Sequence, residues 1–382
     1  MMGVPKCGKT VFGVCLIVCV ALIWTFSSYL VKTIQLQFRG PFFLTYFANS
    51  LFALYLPLLL IKRKFCYSSS GNTLTAYDPI GDDEGAPTKT EGTALFRIDS
   101  PTWSHVFASM KNTKTFRNSL IVCPLWFLAN FLYNASLLYT SVSSSTVLSA
   151  TSCVFTALIA FRMGSEKFHW FNVLAVLMTV GGTGMVVFGD SSTKTACTIS
   201  EIPGKNATGG DGTENSGVSI FLGDILALGG AVFYAIYTVA IQVKVGEANF
   251  DELALFLGYL GAIGCISLFP IVLVLNATGV ESLSELPFDA LLMMGFKGLF
   301  DNVFSDLLWA RAVLLTSPTV STIGINLTIP FSIFIDWTCG KVPSFVNLFG
   351  ALLLMFGFVL VSKRSMADSE RNRDATVIVD AP

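Results

Sequence analysis

Charge and histidine are scarce in this sequence. Charged side chains make up 13% of the 382 residues, and the chain contains 2 histidines. A soluble domain carries about twice this share of charge, so an ordinary soluble enzyme is excluded. The formal net charge of -1 provides no concentrated basic surface, and we therefore expect no nucleic-acid partner.

Both histidines, His105 and His169, fall between apolar segments. Histidine is the commonest metal ligand of proteins, so its absence from the apolar segments excludes a histidine-based acyltransferase or metal site there, and we expect no cofactor. Residues 3–10, GVPKCGKT, match the phosphate-loop pattern. That loop needs a preceding strand and a following soluble helix, whereas an apolar segment begins here at once.

Apolar residues are abundant instead. The chain is 53% hydrophobic and contains 33 Phe, with a mean hydropathy of +0.66. About 20 apolar residues make one bilayer crossing, and lipid offers no partners for backbone N–H and C=O groups, so each crossing must be helical. The predicted fold class is an all-α integral membrane protein. Its ten spans, in order, are 11–31, 41–61, 119–139, 142–161, 171–189, 221–243, 252–275, 288–310, 317–336 and 346–362.

The chain divides into an N-terminal segment, two five-span repeats and a tail: 1–10, 11–189, 220–362 and 363–382. Two connections are long, 62–118 and 190–219. Both are rich in Gly, Ser, Thr and acidic residues, and such segments cannot bury enough apolar surface to fold alone. We expect both to be loops, and the first to be partly disordered.

Lys and Arg concentrate in the connections on the same side as the N-terminus. The positive-inside rule therefore places both termini in the cytosol. Two glycosylation sequons lie outside the spans, at Asn206 and Asn276, and both fall in connections on the other side, as that orientation requires.

The two five-span units resemble each other. Residues 139–164 align with residues 315–340 at a constant offset, which pairs Thr140 with Thr316. Because each unit has an odd number of spans, the second unit enters the membrane from the opposite side. Inverted repeats of this kind are typical of secondary transporters, whose substrate site lies near the midplane where the repeats meet.

Residues 295–313, at the end of span eight, carry four charged residues in an apolar run: Lys297, Asp301, Asp306 and Arg311. A Lys or Asp at the centre of a membrane helix costs about 2.5–3.5 kcal/mol, so such groups survive inside a bundle or beside water. One interpretation places Lys297 and Asp301 on a substrate path. The other makes them a self-neutralising pair at i and i+4, with Arg311 extending to the cytosolic surface.

At about 100° per residue, Asp306 points almost directly away from Lys297. We therefore predict structural polar roles for Asp306 and Asn130, which pack between helices, and for Arg311. Four neighbouring spans supply uncharged polar faces, and we predict that they complete a substrate site with Lys297 and Asp301: Ser145, Ser149, Asn134, Tyr234, Tyr237, Thr322 and Asn326. The alternative for each hydroxyl is helix packing, where one hydrogen bond is worth about 0.6 kcal/mol.

Spans five and ten lack polar faces and carry glycines, among them Gly182 and Gly350. Small residues permit close helix contact. That contact lies either within the chain or in a homodimer through spans five and ten, and the sequence leaves both open.

The order of ten spans, the segment 165–187 (SEKFHWFNVLAVLMTVGGTGMVV) and the run 305–330 (SDLLWARAVLLTSPTVSTIGINLTIP) resemble the drug/metabolite transporter superfamily, of the EamA-like type. The similarity is closest to the F subgroup of the nucleotide-sugar-transporter-like solute carriers. The resemblance implies alternating access around a cavity lined by spans one to four and six to nine. It also implies that spans five and ten are peripheral.

We therefore predict a secondary transporter of a small polar metabolite: a nucleotide sugar, a thiamine-like compound or a phosphorylated metabolite. We expect it in an endomembrane, Golgi or vacuolar, rather than in the plasma membrane. The alternatives are a membrane-embedded enzyme, and a non-transporting receptor or scaffold that uses the same fold.

Overall fold

The structure, a computed structural model, describes residues 6–38, 40–70, 113–139, 142–166, 169–198, 213–246, 248–338, 340 and 342–379. Within this part of the chain every regular element is a helix, which confirms the all-α fold class predicted from the sequence. Of the predicted loops at 62–118 and 190–219, residues 71–112 and 199–212 lie outside the described residues. The described ends of both loops are helical, which corrects the prediction there: the neighbouring helices continue beyond the predicted spans.

Each predicted span coincides with one helix or with a series of shorter helical segments. Spans one, three, five, six, seven and ten are single helices: Lys6–Gln37, Thr113–Tyr139, Trp170–Thr198, Thr213–Val245, Phe250–Ala277 and Phe345–Val379. Spans two, four, eight and nine are interrupted. Span two consists of Pro41–Ser50, Leu51–Leu54 and Tyr55–Ser70, and span four consists of Val142–Ala150 and Ser152–Arg162. Span eight consists of Phe288–Lys297, Gly298–Ser305 and Asp306–Leu315, and span nine consists of Pro318–Ile325 and Thr328–Thr338. A short 3-10 turn, Leu283–Glu285, lies between spans seven and eight.

By length and composition, 9 of the helices in the described ranges are apolar enough to cross a membrane. Span eight, which carries Lys297, Asp301 and Asp306, is not among them. The protein is therefore a multi-pass membrane protein, and among the described spans it is span eight that fails this test of length and composition.

Local sequence sets several helix ends. Span seven begins with a capping box, in which the backbone N–H of Asn249 donates to Glu252 (2.9 Å). Span nine begins at Ser317, whose hydroxyl accepts from the backbone N–H of Val320 (3.3 Å), with Pro318 in the first helical position. These caps satisfy backbone donors that a helix leaves unpaired at its start.

Contacts between helix ends identify one face of the bundle. On one face, Lys62 at the end of the apolar part of span two pairs with Asp251 in span seven (2.5 Å). Nearby, Asn118 in span three donates to the Lys244 carbonyl in span six (2.8 Å). We call this side the basic face, after the side chains at its helix ends: Lys62, Lys114, Lys244, Arg311 and Arg364. The sequence predicts that the basic face is cytosolic.

Consecutive spans are not the main neighbours in space. Span one packs mainly against spans eight, nine and ten, and span six packs mainly against spans three and four. Span two packs along span seven, where a Cβ on Gly261 would lie 2.4 Å from the backbone nitrogen of Ala53. The first five spans and the last five therefore interlock in one bundle.

Spans five and ten form a helix pair of the same chain. A Cβ on Gly350 would lie 2.6 Å from the carbonyl oxygen of Gly182, and a Cβ on Gly182 would lie 2.7 Å from that of Gly350. Gly182 and Gly350, which the sequence left open for a homodimer contact, thus pack within the chain. Nothing in the described residues supports the dimer.

Replacing Gly350 by alanine is expected to destabilise the bundle by about 1–3 kcal/mol, because the added methyl group overpacks a backbone contact. The thermal unfolding midpoint of the purified protein in detergent measures the effect. Gly184→Ala is the matched control: it lies in span five, and a Cβ there would meet nothing within 4 Å. Equal midpoints for the two variants would contradict the prediction.

Two glutamates cap helices across the bundle. Both carboxylate oxygens of Glu281, which follows span seven, accept from the backbone N–H groups of Phe42 and Phe43 at the start of span two (2.8 Å each). On the basic face, Glu166 accepts from the backbone N–H of Thr319 at the start of span nine (2.9 Å). A negative charge is favourable at a helix N-terminus, so each residue ties one of the first five spans to one of the last five.

Glu281 lies outside the spans and is only 9% exposed. Burial raises the pKa of its carboxyl above the usual range, although the two backbone N–H donors act in the opposite direction. A raised folded-state pKa means that the folded state holds this proton more tightly. The contribution of Glu281 to stability is therefore complete below the unfolded-state pKa, at about pH 4, and is lost as the pH rises through the raised value.

We expect Glu281→Gln to remove this pH dependence, because glutamine does not titrate. The measurement is the unfolding midpoint of both proteins from about pH 4 to neutrality. The advantage of the wild type over the variant should be largest at the acid end. A difference that stays constant across the range would show that this carboxyl titrates normally.

Candidate binding cavity

A cavity of about 370 Å³ lies in the centre of the bundle. Its walls come from spans one, three and four and from spans six, eight and nine. Spans five and ten are absent from the described lining, as the resemblance implied. Spans two and seven are absent as well, which corrects the expected lining: they pack against each other instead. The volume is at the small end of the range for ligand pockets in proteins.

An aromatic cluster ends the cavity toward the basic face. Its members are Trp24, Trp126, Tyr234, Tyr237 and Trp309. The ring of Trp309 lies 5.8 Å from each of the rings of Trp126, Tyr234 and Tyr237, and 6.5 Å from that of Trp24. Beyond the cluster, the side chains toward the basic face are buried and apolar, including Ile241 and Val313.

The cavity extends in the other direction toward the opposite face. Val31, Leu137 and the exposed Ser28 line it near the ends of spans one and three. The cavity is thus closed toward the basic face and reaches toward the other.

A polar network occupies one side of the cavity. The Lys297 ammonium lies 2.8 Å from the Asp301 carboxylate and donates to the amide oxygen of Asn302 (3.0 Å). Ser27 of span one donates to the same Asp301 carboxylate (2.7 Å). The side chains of Lys297 and Asp301 are 12% and 15% exposed, so the pair lies at the cavity wall rather than in a sealed interior. Lys297 and Asp301 therefore form an ion pair with each other and also line the cavity.

Span eight changes its helical geometry immediately after Lys297. Residues Gly298–Ser305 form a π-helix, in which the hydrogen bonds run from i to i+5 and each residue turns by less than in an α-helix. The Tyr55 hydroxyl of span two donates to the Val303 carbonyl in this segment. Such segments are often found at functional sites.

The π-helix overturns the predicted direction of Asp306. With a constant α-helical turn, Asp306 would point away from Lys297, but the smaller turn per residue brings it round to the same cavity. Asn130 lines the cavity too. Both residues therefore line the cavity, and the structural polar roles given to them from the sequence stay predictions.

The structure brings most of the predicted binding residues together. Those that line the cavity are Lys297, Asp301, Asn326, Thr322, Tyr234, Tyr237, Ser149 and Asn134. Whether they bind a solute stays a prediction. Ser145 lies outside the described lining: it is fully buried, and its hydroxyl is 3.0 Å from that of Ser136. Its position fits packing between spans three and four rather than contact with a solute.

Arg311 also lies outside the described lining. Its guanidinium donates to the Ala248 carbonyl and stacks over the Phe250 ring at 5.2 Å, between the ends of spans six and seven. Its contacts therefore place it on the basic face, and its extension to the membrane surface stays one of the two interpretations.

Some cavity residues were not predicted. They are Trp24 and Ser27 of span one and Asn302 of the π-helix, and all three line the cavity. A polar Ser27 one helical turn beyond Trp24 in an apolar span was a weak signal in the sequence. Asn302 gave no signal, because its direction depends on the π-helix.

Several hydrogen-bonding groups in the cavity wall are buried without a protein partner. Within the described residues, these include the indole Nε1 atoms of Trp24 and Trp126 and the hydroxyl of Ser149. A buried polar group without a partner costs about 1–3 kcal/mol. Such groups at a cavity wall are suited to a bound solute that supplies the missing hydrogen bonds.

Two family models match the chain. Residues 94–252 match a family described as purine nucleobase transmembrane transport. Residues 221–363 match the EamA-like transporter family. The two matches overlap in span six and together cover most of the cavity lining.

The chain is also similar to individual proteins along almost its whole length. An uncharacterized vacuolar membrane protein of Saccharomyces cerevisiae is 30% identical over 94% of this chain and 92% of its own. The thiamine-repressible mitochondrial transport protein of the same yeast is 29% identical over 97% and 96%. Solute carrier family 35 member F5 of Bos taurus is 26% identical over 94% and 78%. One crystal structure matches with a TM-score of 0.52 over 94% of this chain and 97% of the other chain, at 12% identity. This match shows a similar fold and nothing further.

Proposed function

Because this chain belongs to the EamA-like transporter family, with the F members of solute carrier family 35 among its relatives, we propose that it is a secondary transporter that moves a small polar metabolite across its membrane by alternating access. The observation that carries the proposal is the central cavity. It is built jointly from the first five and the last five spans, it is closed toward one face, and it holds charged groups that lipid would not tolerate.

The packing of the spans suggests which parts move. Span one packs mainly with spans eight, nine and ten, while span six packs mainly with spans three and four. The aromatic cluster lies where these two groups meet: Trp24 and Trp309 belong to the first, and Trp126 and Tyr237 belong to the second. We propose that the two five-span units are inverted repeats and that separation of these rings opens the cavity toward the basic face.

The proposed substrate site consists of the polar network and the neighbouring polar side chains of spans three, four, six and nine. A nucleotide sugar, a thiamine-like compound and a phosphorylated metabolite are the starting candidates. Several of the relatives are named as transporters or solute carriers, which favours transport over a membrane-embedded enzyme.

Reconstitution of the full chain in liposomes tests the proposal. Uptake of one solute from each candidate class is measured with protein-free liposomes as the background. We expect saturable uptake of at least one solute, accelerated when the same solute is loaded inside. Asp251→Asn is the matched control, since its ion pair with Lys62 is exposed and far from the cavity, and such surface pairs contribute little. Absence of uptake for every class would favour the scaffold, and chemical conversion of a solute would favour the enzyme.

We further propose an endomembrane location with both termini in the cytosol. The vacuolar relative supports the location, and the basic face supports the orientation. Protease added to intact vesicles is expected to remove a tag fused to the C-terminus. Protection of that tag would reverse the orientation.

A further inference from the structure

Asp306 is a further acidic side chain in the cavity, beside the polar network of Lys297 and Asp301. It lines the cavity and is only 7% exposed. No hydrogen bond or ion pair joins its carboxylate to any side chain that the structure describes, whereas Asp301 is held by Lys297 and Ser27. A buried carboxylate without a partner is suited to a counter-charge brought by a ligand.

The surroundings of Asp306 are aromatic. Tyr234 and Tyr237 of span six line the same part of the cavity, with ring centres 5.1 Å apart. Trp126 lies 4.6 Å from Tyr237, and Trp309 follows Asp306 by one helical turn. The faces of Trp and Tyr rings carry partial negative charge and attract organic cations. Flat rings also offer surfaces on which a flat solute stacks.

The charges in the cavity wall also favour a cation. Within the described lining, Lys297 is the one basic side chain, and Asp301 and Asp306 are the acidic ones. Since Asp301 already neutralises Lys297 at 2.8 Å, Asp306 is left over. Phosphate groups are usually held by several Arg or Lys side chains or by backbone N–H groups, and this wall does not provide such a set.

On the basis of the proposed function, we infer that the transported solute is a flat nitrogen heterocycle that carries a positive charge and no phosphate, and that Asp306 and the aromatic cluster receive its charged ring. The unpartnered N–H groups of Trp24 and Trp126 then pair with acceptor atoms on the edge of the heterocycle. The polar network contacts the uncharged polar end of the solute.

Matched ligand pairs test the inference with the full chain in lipid nanodiscs. The probes are 1-methylnicotinamide and thiamine, which are cations, each compared with a neutral compound of similar shape, such as nicotinamide for the first. Isothermal titration calorimetry measures the affinities. We expect at least one cation to bind about tenfold or more tightly than its neutral partner, as a desolvated contact between a cation and aromatic rings allows.

Asp306→Asn keeps the size of the side chain and removes its charge. It is expected to weaken binding of that cation by about tenfold or more and to leave the neutral partner unchanged within twofold, with an unfolding midpoint near that of the wild type. Asp251→Asn, outside the cavity, is expected to change neither affinity. Equal affinities for every cation and its neutral partner would overturn the inference. So would a folded Asp306→Asn variant that binds the cation as tightly as the wild type, because Asp306 would then be a neutral, structural acid.

The liposome experiment separates this inference from the proposed function. Uptake of a nucleotide sugar without any preference for cations would uphold transport and overturn the inference. Tight, Asp306-dependent binding of a cation that never crosses the membrane would uphold the binding site and overturn transport.

Discussion

Replacing Lys297 by methionine is expected to abolish transport and to lower the yield of folded protein. The substitution leaves Asp301 and Asp306 as two carboxylates in one membrane-buried cavity. Removing one partner of a buried ion pair costs about 3–5 kcal/mol, because the other charge stays buried and uncompensated. The bonds from Lys297 to Asp301 at 2.8 Å and to Asn302 at 3.0 Å are both lost. Uptake per molecule of folded protein, measured beside the yield from gel filtration, checks the prediction.

The double variant Lys297→Met with Asp301→Asn separates the two interpretations of this pair. Removing both charges is expected to restore the folded yield, since replacing a whole buried pair by neutral side chains is often tolerated. Transport should stay abolished if the polar network contacts the solute. Full transport by the double variant would mean that Lys297 and Asp301 only neutralise each other.

Trp309→Ala is expected to have the second large effect, a loss of about 3–5 kcal/mol in the free energy of unfolding. The side chain is fully buried, and its ring contacts four other aromatic rings. Its removal leaves a void at the point where the two groups of spans meet. The unfolding midpoint in detergent is the measurement. Trp309→Phe should keep part of the stability, since it retains a ring in the same place.

Trp337→Ala is the matched control for this prediction. Trp337 lies at the end of span nine and is 57% exposed, so its loss leaves no internal void. We expect only a small change in its midpoint, as for most exposed positions. A similar loss of stability in both variants would show that the aromatic cluster contributes no more than a surface tryptophan.

The positions of the spans could be predicted from the sequence because each apolar run has one structural solution in lipid. All ten predicted spans coincide with helical segments, although spans two, four, eight and nine are interrupted. The interruption at Thr151 in span four could not be predicted, since no proline or glycine marks it. Such breaks depend on the partners that neighbouring spans provide for freed backbone groups.

The cavity could be predicted in part. The sequence singles out most of the polar faces that converge there, because a polar residue in a membrane helix needs the bundle interior. It does not distinguish Ser149, which lines the cavity, from Ser145, which bonds to Ser136. That distinction depends on how span three lies against span four. It also could not decide whether glycines pack within one chain or between two, because both arrangements need the same small residues.

By itself, the sequence determined that this protein is a bundle of membrane helices with charged groups in span eight, because hydrocarbon permits few backbone structures and few uncompensated charges. Only the tertiary structure decided where those charges point. A π-helix of eight residues, Gly298–Ser305, rotates Asp306 into the cavity that Lys297 lines. A small change in turn per residue accumulates along a helix. The direction of a side chain therefore depends on tertiary contacts, such as that of Tyr55 with Val303. These contacts join residues that are far apart in the chain.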